Sequence, residues 1–192
     1  MTLQPCLLDM PTVYMARDEP EAALRAFWNS YALLIHPDTT CFAEWAERQG
    51  KPGGPLYKTS DECRWLMWLR DLLIWEDDNT LRLGWATPRK WLADGETVRI
   101  TSAKTRFGEI DFELGSYVDR GTISGSLRID PHESPPETHL RVRHPDKSLP
   151  RQLRWAAKLI PDRLMQRSDI RIPKDWIRPG VASRFEVIYG PR

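Results

Sequence analysis

The spacing of apolar residues changes once along the chain, from three and four in the first part to two in the second. Over 18–36, Ala23, Leu24, Phe27, Trp28, Tyr31, Leu34 and Ile35 fall on one face of a helix. Asp18 stands where a cap is favoured, Glu19 and Pro20 suit a first turn, and Pro37 forbids continuation. A second helix is predicted over 59–75. Its start, Thr59-Ser60-Asp61-Glu62, fits a capping box with Glu62 reaching back, and its stripe is Trp65, Leu66, Leu69, Leu72 and Leu73. Trp68 lies off the stripe, which predicts cover on more than one side. Between the two, 41–49 is expected to form a further short helix and the Gly- and Pro-rich 50–55 a loop.

After Trp75 the pattern turns extended. Residues 76–79 read as a turn, 80–85 as a short extended run and 88–92 as one helical turn. From there residues alternate: 98–101, 110–114, 123–129 and 140–143, with further candidates at 152–155, 169–172 and 184–189. Turn signals at 119–121, 131–136 and 179–180 separate them. Seven or eight short antiparallel strands, each with one apolar and one charged face, predict a β-sandwich. The expected fold is therefore α+β, with a helical segment over 1–94 and an antiparallel β-sandwich over 95–192. Two helices with so heavy an aromatic load are few for a domain of their own, which suggests a truncated chain.

Composition narrows the function classes. The net charge of +1 lacks the basic excess of a non-specific nucleic-acid binder. No stretch approaches the roughly 20 apolar residues that span a bilayer. The opening MTLQPCLLDM has no basic n-region and no long apolar run, so it does not read as a signal peptide, while a parent protein could still be periplasmic or secreted. Cys6, Cys41 and Cys63 are odd in number without CxxC spacing, and read as free thiols. His36 reads as a helix-end cap, and His132, His139 and His144 lie scattered without metal-ligand spacing, so neither a metal nor another cofactor is expected. Arg141, Arg143 and His144 read as a solvated basic row, and Asp111, Glu113 and Asp119 as acids able to pair across strands. Tryptophan is in excess, nine of 192 residues, six of them in the first half. Such density serves either an aromatic core or flat platforms on which sugar rings stack.

The phrases PTVYMARDEPEAALRAFWN, HPDTTCFAEW, KTSDECRWLMWLRDLLIWEDDNTLRLGWATPRKWLADG, TRFGEIDFELGSYVDRGTISGSLRI and THLRVRHP occur in that order. Together they resemble the C-terminal end of bacterial proteins of the six-hairpin, (α/α)6-barrel glycosidase class, where the last barrel helices lead into a β-sandwich. The likeness spans roughly 10–145 and is looser to α-L-rhamnosidases. Those carry a T-T-x-W-E-R-W-like phrase whose Glu serves as general base; here Thr39-Thr40-Cys41-Phe42-Ala43-Glu44-Trp45 stands in its place, with Glu44 one position later. On a helix that shift turns the carboxylate by about 100°. The resemblance implies a carbohydrate ligand and Glu44 as the general-base candidate. Phe42 and Trp45 give that residue an aromatic neighbourhood of the kind that binds sugar, and Tyr57 and Lys58, just before the second helix, are sugar-bonding candidates whose alternative reading is a solvated loop. Hydrolysis of a glycosidic bond generally needs two carboxyl groups, and the general acid of this barrel class lies in an earlier hairpin. The expectation is a glycoside-hydrolase-like piece that is not catalytic alone. The rival reading is a stand-alone, non-catalytic β-sandwich binding or interaction module. An exposed stripe around Phe27, Trp28, Leu66 and Leu69 is expected to favour self-association.

Overall fold

The computed structural model describes residues 3–131 and 136–190. The chain divides into two compact units, one ending at Leu72 and one beginning at Leu73. Both helix and antiparallel sheet are present, so the α+β class holds.

The first unit contains α1 (Met10–Ala16), α2 (Pro20–Leu34), a two-strand ribbon of β1 (Trp45–Ala46) and β2 (Pro52–Gly53), and α3 (Thr59–Asp71). A 3-10 turn at Pro5–Leu7 precedes them. Helix α2 forms because Pro20 pre-sets its first turn and Ala23, Phe27, Ser30 and Leu34 line one buried face. It stops at Ile35, already extended ahead of Pro37. Asp18 does not cap it: that residue is left-handed, and Glu19 stands at the cap without a side-chain bond. Phe27, expected on an exposed stripe, is fully buried, stacked on Trp65 with ring centroids 4.5 Å apart. Trp28 and Leu66 of the same stripe are exposed and Leu69 is half-buried.

The expected helix over 41–49 is absent. The chain reverses after α2, with His36 N–H donating to the Cys41 carbonyl and Ala43 N–H to that of Leu34, and continues extended. Its amides find sheet-like partners instead: Ala46 and Leu3 exchange both backbone bonds, at 2.8 and 3.0 Å. Helix α3 ends at Asp71 rather than 75, because Leu73 and Ile74 already belong to sheet text. The Leu73 carbonyl accepts from Gly84 N–H, and Ile74 pairs with Leu83.

The second unit opens with the hairpin β3 (Ile74–Asp77) and β4 (Thr80–Leu83), turned through Asp78, which is left-handed. A 3-10 turn at Arg89–Leu92 leads into β5 (Thr97–Thr105), β6 (Gly108–Tyr117), β7 (Thr122–Pro131) and β8 (Glu137–Arg141). Then come β9 (Gln152–Trp155), β10 (Lys158–Leu159), β11 (Met165–Gln166), β12 (Asp169–Ile172) and β13 (Ser183–Ile188). One six-stranded sheet has the order β10-β9-β13-β7-β6-β5, and one five-stranded sheet the order β11-β12-β8-β4-β3. The run 80–85, expected with the helical segment, thus enters a sheet as β4. Its pairing with β8 is parallel, an exception to the expected antiparallel arrangement.

Alternation explains the layers. Ile110, Phe112 and Leu114 of β6, Ile123, Leu127 and Ile129 of β7, and Phe185 and Val187 of β13 join one buried cluster with Leu81, Leu83, Leu140, Ile170 and Ile172 of the other sheet. Each such side chain contributes about 1.5–3 kcal/mol on burial. Two glycines make close approaches possible. A Cβ on left-handed Gly84 would collide with the Arg141 carbonyl, and one on Gly125 would collide with the Phe185 ring and the Glu113 carbonyl.

The basic row is not solvated. Arg141, Arg143 and His144 are all buried. The Arg141 guanidinium lies 3.5 Å from the Trp85 ring centre, with Arg82 also over that ring at 4.3 Å. Arg143 donates to the Thr87 carbonyl at 2.8 Å, and the His144 ring packs on Tyr189. Sequence alternation marked these positions as charged and read charge as exposure; aromatic faces and backbone carbonyls admit the guanidiniums instead. His36 is no side-chain cap: its Nδ1 makes no hydrogen bond. His132 lies outside the described residues.

His139 is held between two carboxylates, Nδ1 2.8 Å from Asp169 and Nε2 3.2 Å from Glu137. The bond to Asp169 raises its pKa above the ordinary histidine value, against opposing burial and the charge of Arg82. Glu137 is lowered, first by its bond to His139 and further by Arg171. With the folded pKa of His139 raised, its stabilising contribution is full below about pH 6.5 and is lost as pH rises through the folded value. The Glu137 contribution runs the other way and is lost as pH falls below the carboxylate range. Wild type should therefore lose its stability advantage over His139→Asn between pH 6 and pH 9, a change that urea melts at the two values would read.

Candidate functional site

The residues singled out around Glu44 do meet. Glu44 N–H donates to the Pro55 carbonyl and Lys58 N–H to that of Phe42, which lays the 42–46 segment along 52–58. Lys58 Nζ then donates to Glu44 Oε1 at 2.6 Å. That bond raises the Lys58 pKa. Phe42 is buried, its ring edge-on to Tyr31 and Trp65, so it packs the aromatic cluster of α2 and α3. Trp45 is half-buried and lies against Gly53 and Gly54, where a Cβ would come within 2.8 and 2.6 Å of the indole. Tyr57 is well exposed and left-handed.

The expected capping box is rearranged. Lys58, not Thr59, precedes the first turn of α3, and Thr59 Oγ1 reaches the Tyr57 carbonyl. Glu62 Oε1 accepts from Phe42 N–H at 3.0 Å, twenty residues back in the chain. Helix α3 is thus tied to the segment carrying Glu44. Asp61 is buried in its first turn. Burial raises its pKa, with Lys58 and a side-chain bond from Cys6 opposing and Glu44 and Glu62 adding. Asp9 completes the frame: its Oδ1 accepts from Thr12 Oγ1 at 2.9 Å and from Trp68 Nε1 at 2.6 Å, joining α1 to α3.

A second arrangement escaped the sequence reading. On the outer face of the six-stranded sheet lies an open trough of about 620 Å³. Its floor is small, because Gly115 of β6 pairs with Ser124 of β7, and Glu113 with Ser126. Tyr117 leans over the bare Gly115, its Cε2 3.7 Å from where a Cβ would stand. One wall carries Glu113, held by Arg99 at 2.7 Å across β5 and β6. The opposite wall carries Arg184 and Glu186 of β13, the latter 3.5 Å from Arg154 of β9. The signal was present as Ser124-Gly125-Ser126 beside Gly115. Small residues in mid-strand mark a close approach or a hollow, but strand alignment is needed to see that both runs meet.

Among the described residues no group of three or more His, Cys, Asp or Glu side chains is placed to hold a metal ion. Among them, no helix is long and apolar enough to cross a membrane.

Burial pushes the Cys6 thiol up to about 12, and Cys41 is also buried, whereas Cys63 is exposed on α3. A thiol reacts as its thiolate and only where reagent can reach it. Titration of the folded chain with a disulfide reagent should show Cys63 reacting fast and the other two only on denaturation; equal rates for all three would contradict the packing of Cys6 against Asp61. Compared with protein-family models, with curated proteins and with solved structures, the chain finds no match.

Proposed function

We propose that the second unit is a non-catalytic, carbohydrate-binding β-sandwich, with the sugar lying in the trough on its six-stranded sheet. The trough itself is the observation that carries this reading. Its floor of Gly115, Ser124 and Ser126 leaves room for a ring, and the serine hydroxyls can donate and accept toward a polyol. Tyr117 offers a half-exposed aromatic face, the kind on which the C–H face of a sugar packs. The arginine and glutamate pairs on the walls supply further donors and acceptors in fixed positions. A volume of about 620 Å³ falls in the range of small-molecule sites.

A second reading comes from the helical unit. Glu44, Lys58 and the buried Asp61 bring two carboxyl groups, the Asp61 one of raised pKa, to one end of α3. Two carboxyl groups near one another are what glycosidic hydrolysis generally needs. That supports a glycosidase-like ancestry of the kind the resemblance implies, with Glu44 as its base candidate. The ion pair with Lys58 favours an inactive isolated chain.

Both readings face one set of measurements on the purified chain. Glycan binding by calorimetry should be present, and should weaken about tenfold in Tyr117→Ala. It should be blocked in Ser126→Tyr, whose ring would fill the floor from an outward strand position. Binding that survives both changes would overturn the trough as the site. Turnover of aryl glycosides that vanishes in Glu44→Gln would instead make the helical unit catalytic.

A further inference from the structure

We infer that the ligand of this face is an acidic oligosaccharide, longer than one sugar, with a carboxylate held at Arg184. The inference rests on the reading of the trough as a carbohydrate site. Length comes from continuity. A second depression of about 300 Å³, bordered by Asp111 and Arg128, shares Glu113 and Ser126 with the trough. A third of about 370 Å³, bordered by Lys90 and Trp91, shares Thr97 with it. One path therefore crosses the sheet obliquely from the β5 edge to β13 and β9. At about 4.8 Å per strand, the five strands β5, β6, β7, β13 and β9 are about 19 Å across, more than one pyranose ring covers. Trp91, half-buried and packed against the core of the unit, borders the far end.

Charge comes from pairing. In the trough, Glu113 is engaged by Arg99 and Glu186 by Arg154. Arg184 stands between these pairs, beside Ser126 in the register of β13 and β7, and is exposed. Among the described residues no carboxylate lies within ion-pair distance of it. A guanidinium fork next to a serine hydroxyl matches a planar carboxylate carried on a hydroxylated ring. The neighbouring glutamates, already neutralised by arginines, do not repel it.

The test is calorimetry on the full chain with oligomers of galacturonic, glucuronic and mannuronic acid, and with their neutral counterparts. Acidic oligomers should bind more tightly than neutral ones, longer ones more tightly than single sugars, and salt should weaken only the acidic series. Arg184→Gln should cost the acidic series about tenfold and narrow the gap between acidic and neutral oligomers. Equal affinity for acidic and neutral sugars, equal affinity for single sugars and oligomers, or indifference to Arg184→Gln would overturn this inference while leaving the trough a sugar site. Failure of every acidic and neutral oligomer to bind would overturn both.

Discussion

The pairing of β6 with β7 constrains the rest of the β unit. Ten residues of each strand align without a break, from Gly108 opposite Pro131 to Tyr117 opposite Thr122. Ile110, Phe112 and Leu114 on one side, and Ile123, Leu127 and Ile129 on the other, must all point into the core shared with the second sheet. A slip of one residue would turn one strand's three large apolar side chains into water, a loss of roughly 5–9 kcal/mol, comparable with the whole stability of a domain. With that register fixed, the outward residues have no choice of neighbour. Gly115 must lie beside Ser124, and Glu113 beside Ser126, so the hollow is a consequence of the core rather than an independent feature.

Charge pairing fixes the outward side chains of this face. Arg128 bonds Asp111 at 2.6 Å and Glu109 at 2.8 Å, and both carboxyls are held below their ordinary pKa by those bonds and, for Glu109, first by Lys104. Ser102, left-handed at an irregularity in β5, adds its N–H to Asp111 at 2.7 Å. Paired charges of this kind contribute little to folding, being half-exposed. They do set positions, and they deter edge-to-edge pairing along β5. The helical unit uses polar groups differently. Asp9 and Glu62 each serve a distant partner, Trp68 Nε1 and Phe42 N–H, so that short elements with little core of their own hold one arrangement.

Period and punctuation made much of this legible in sequence. The stripe of α2, the strands around Phe112, Leu127 and Phe185, and the turn at 88–92 followed from alternation and from proline alone. Failures came where tertiary bonds overrode local pattern. The 41–49 stretch has helical composition, but its amides pair with Leu3 and Gly53-region backbone that no local rule foresees. Leu73 reads as the end of a helical stripe and instead opens a sheet through its bond to Gly84. The alternation of Arg141 and Arg143 reads as surface because charge usually is; Trp85 and the Thr87 carbonyl accommodate them inside. Glu44 and Lys58 were both visible as candidates, yet their salt bridge, which ties the carboxylate to a cation, was not. The trough was hardest to foresee, since serines and glycines in a strand carry no chemical label until registers are known.

The most direct test of the account is a map of where a glycan touches the chain. Amide chemical shifts of an isotopically labelled sample, followed during addition of an oligogalacturonide, report each position separately. The account predicts shifts concentrated at Gly115, Tyr117, Ser124, Ser126 and Arg184, with the inward neighbours Leu114 and Leu127 moving less. Shifts centred instead on Glu44, Tyr57 and Lys58 would contradict it and place sugar recognition on the helical unit.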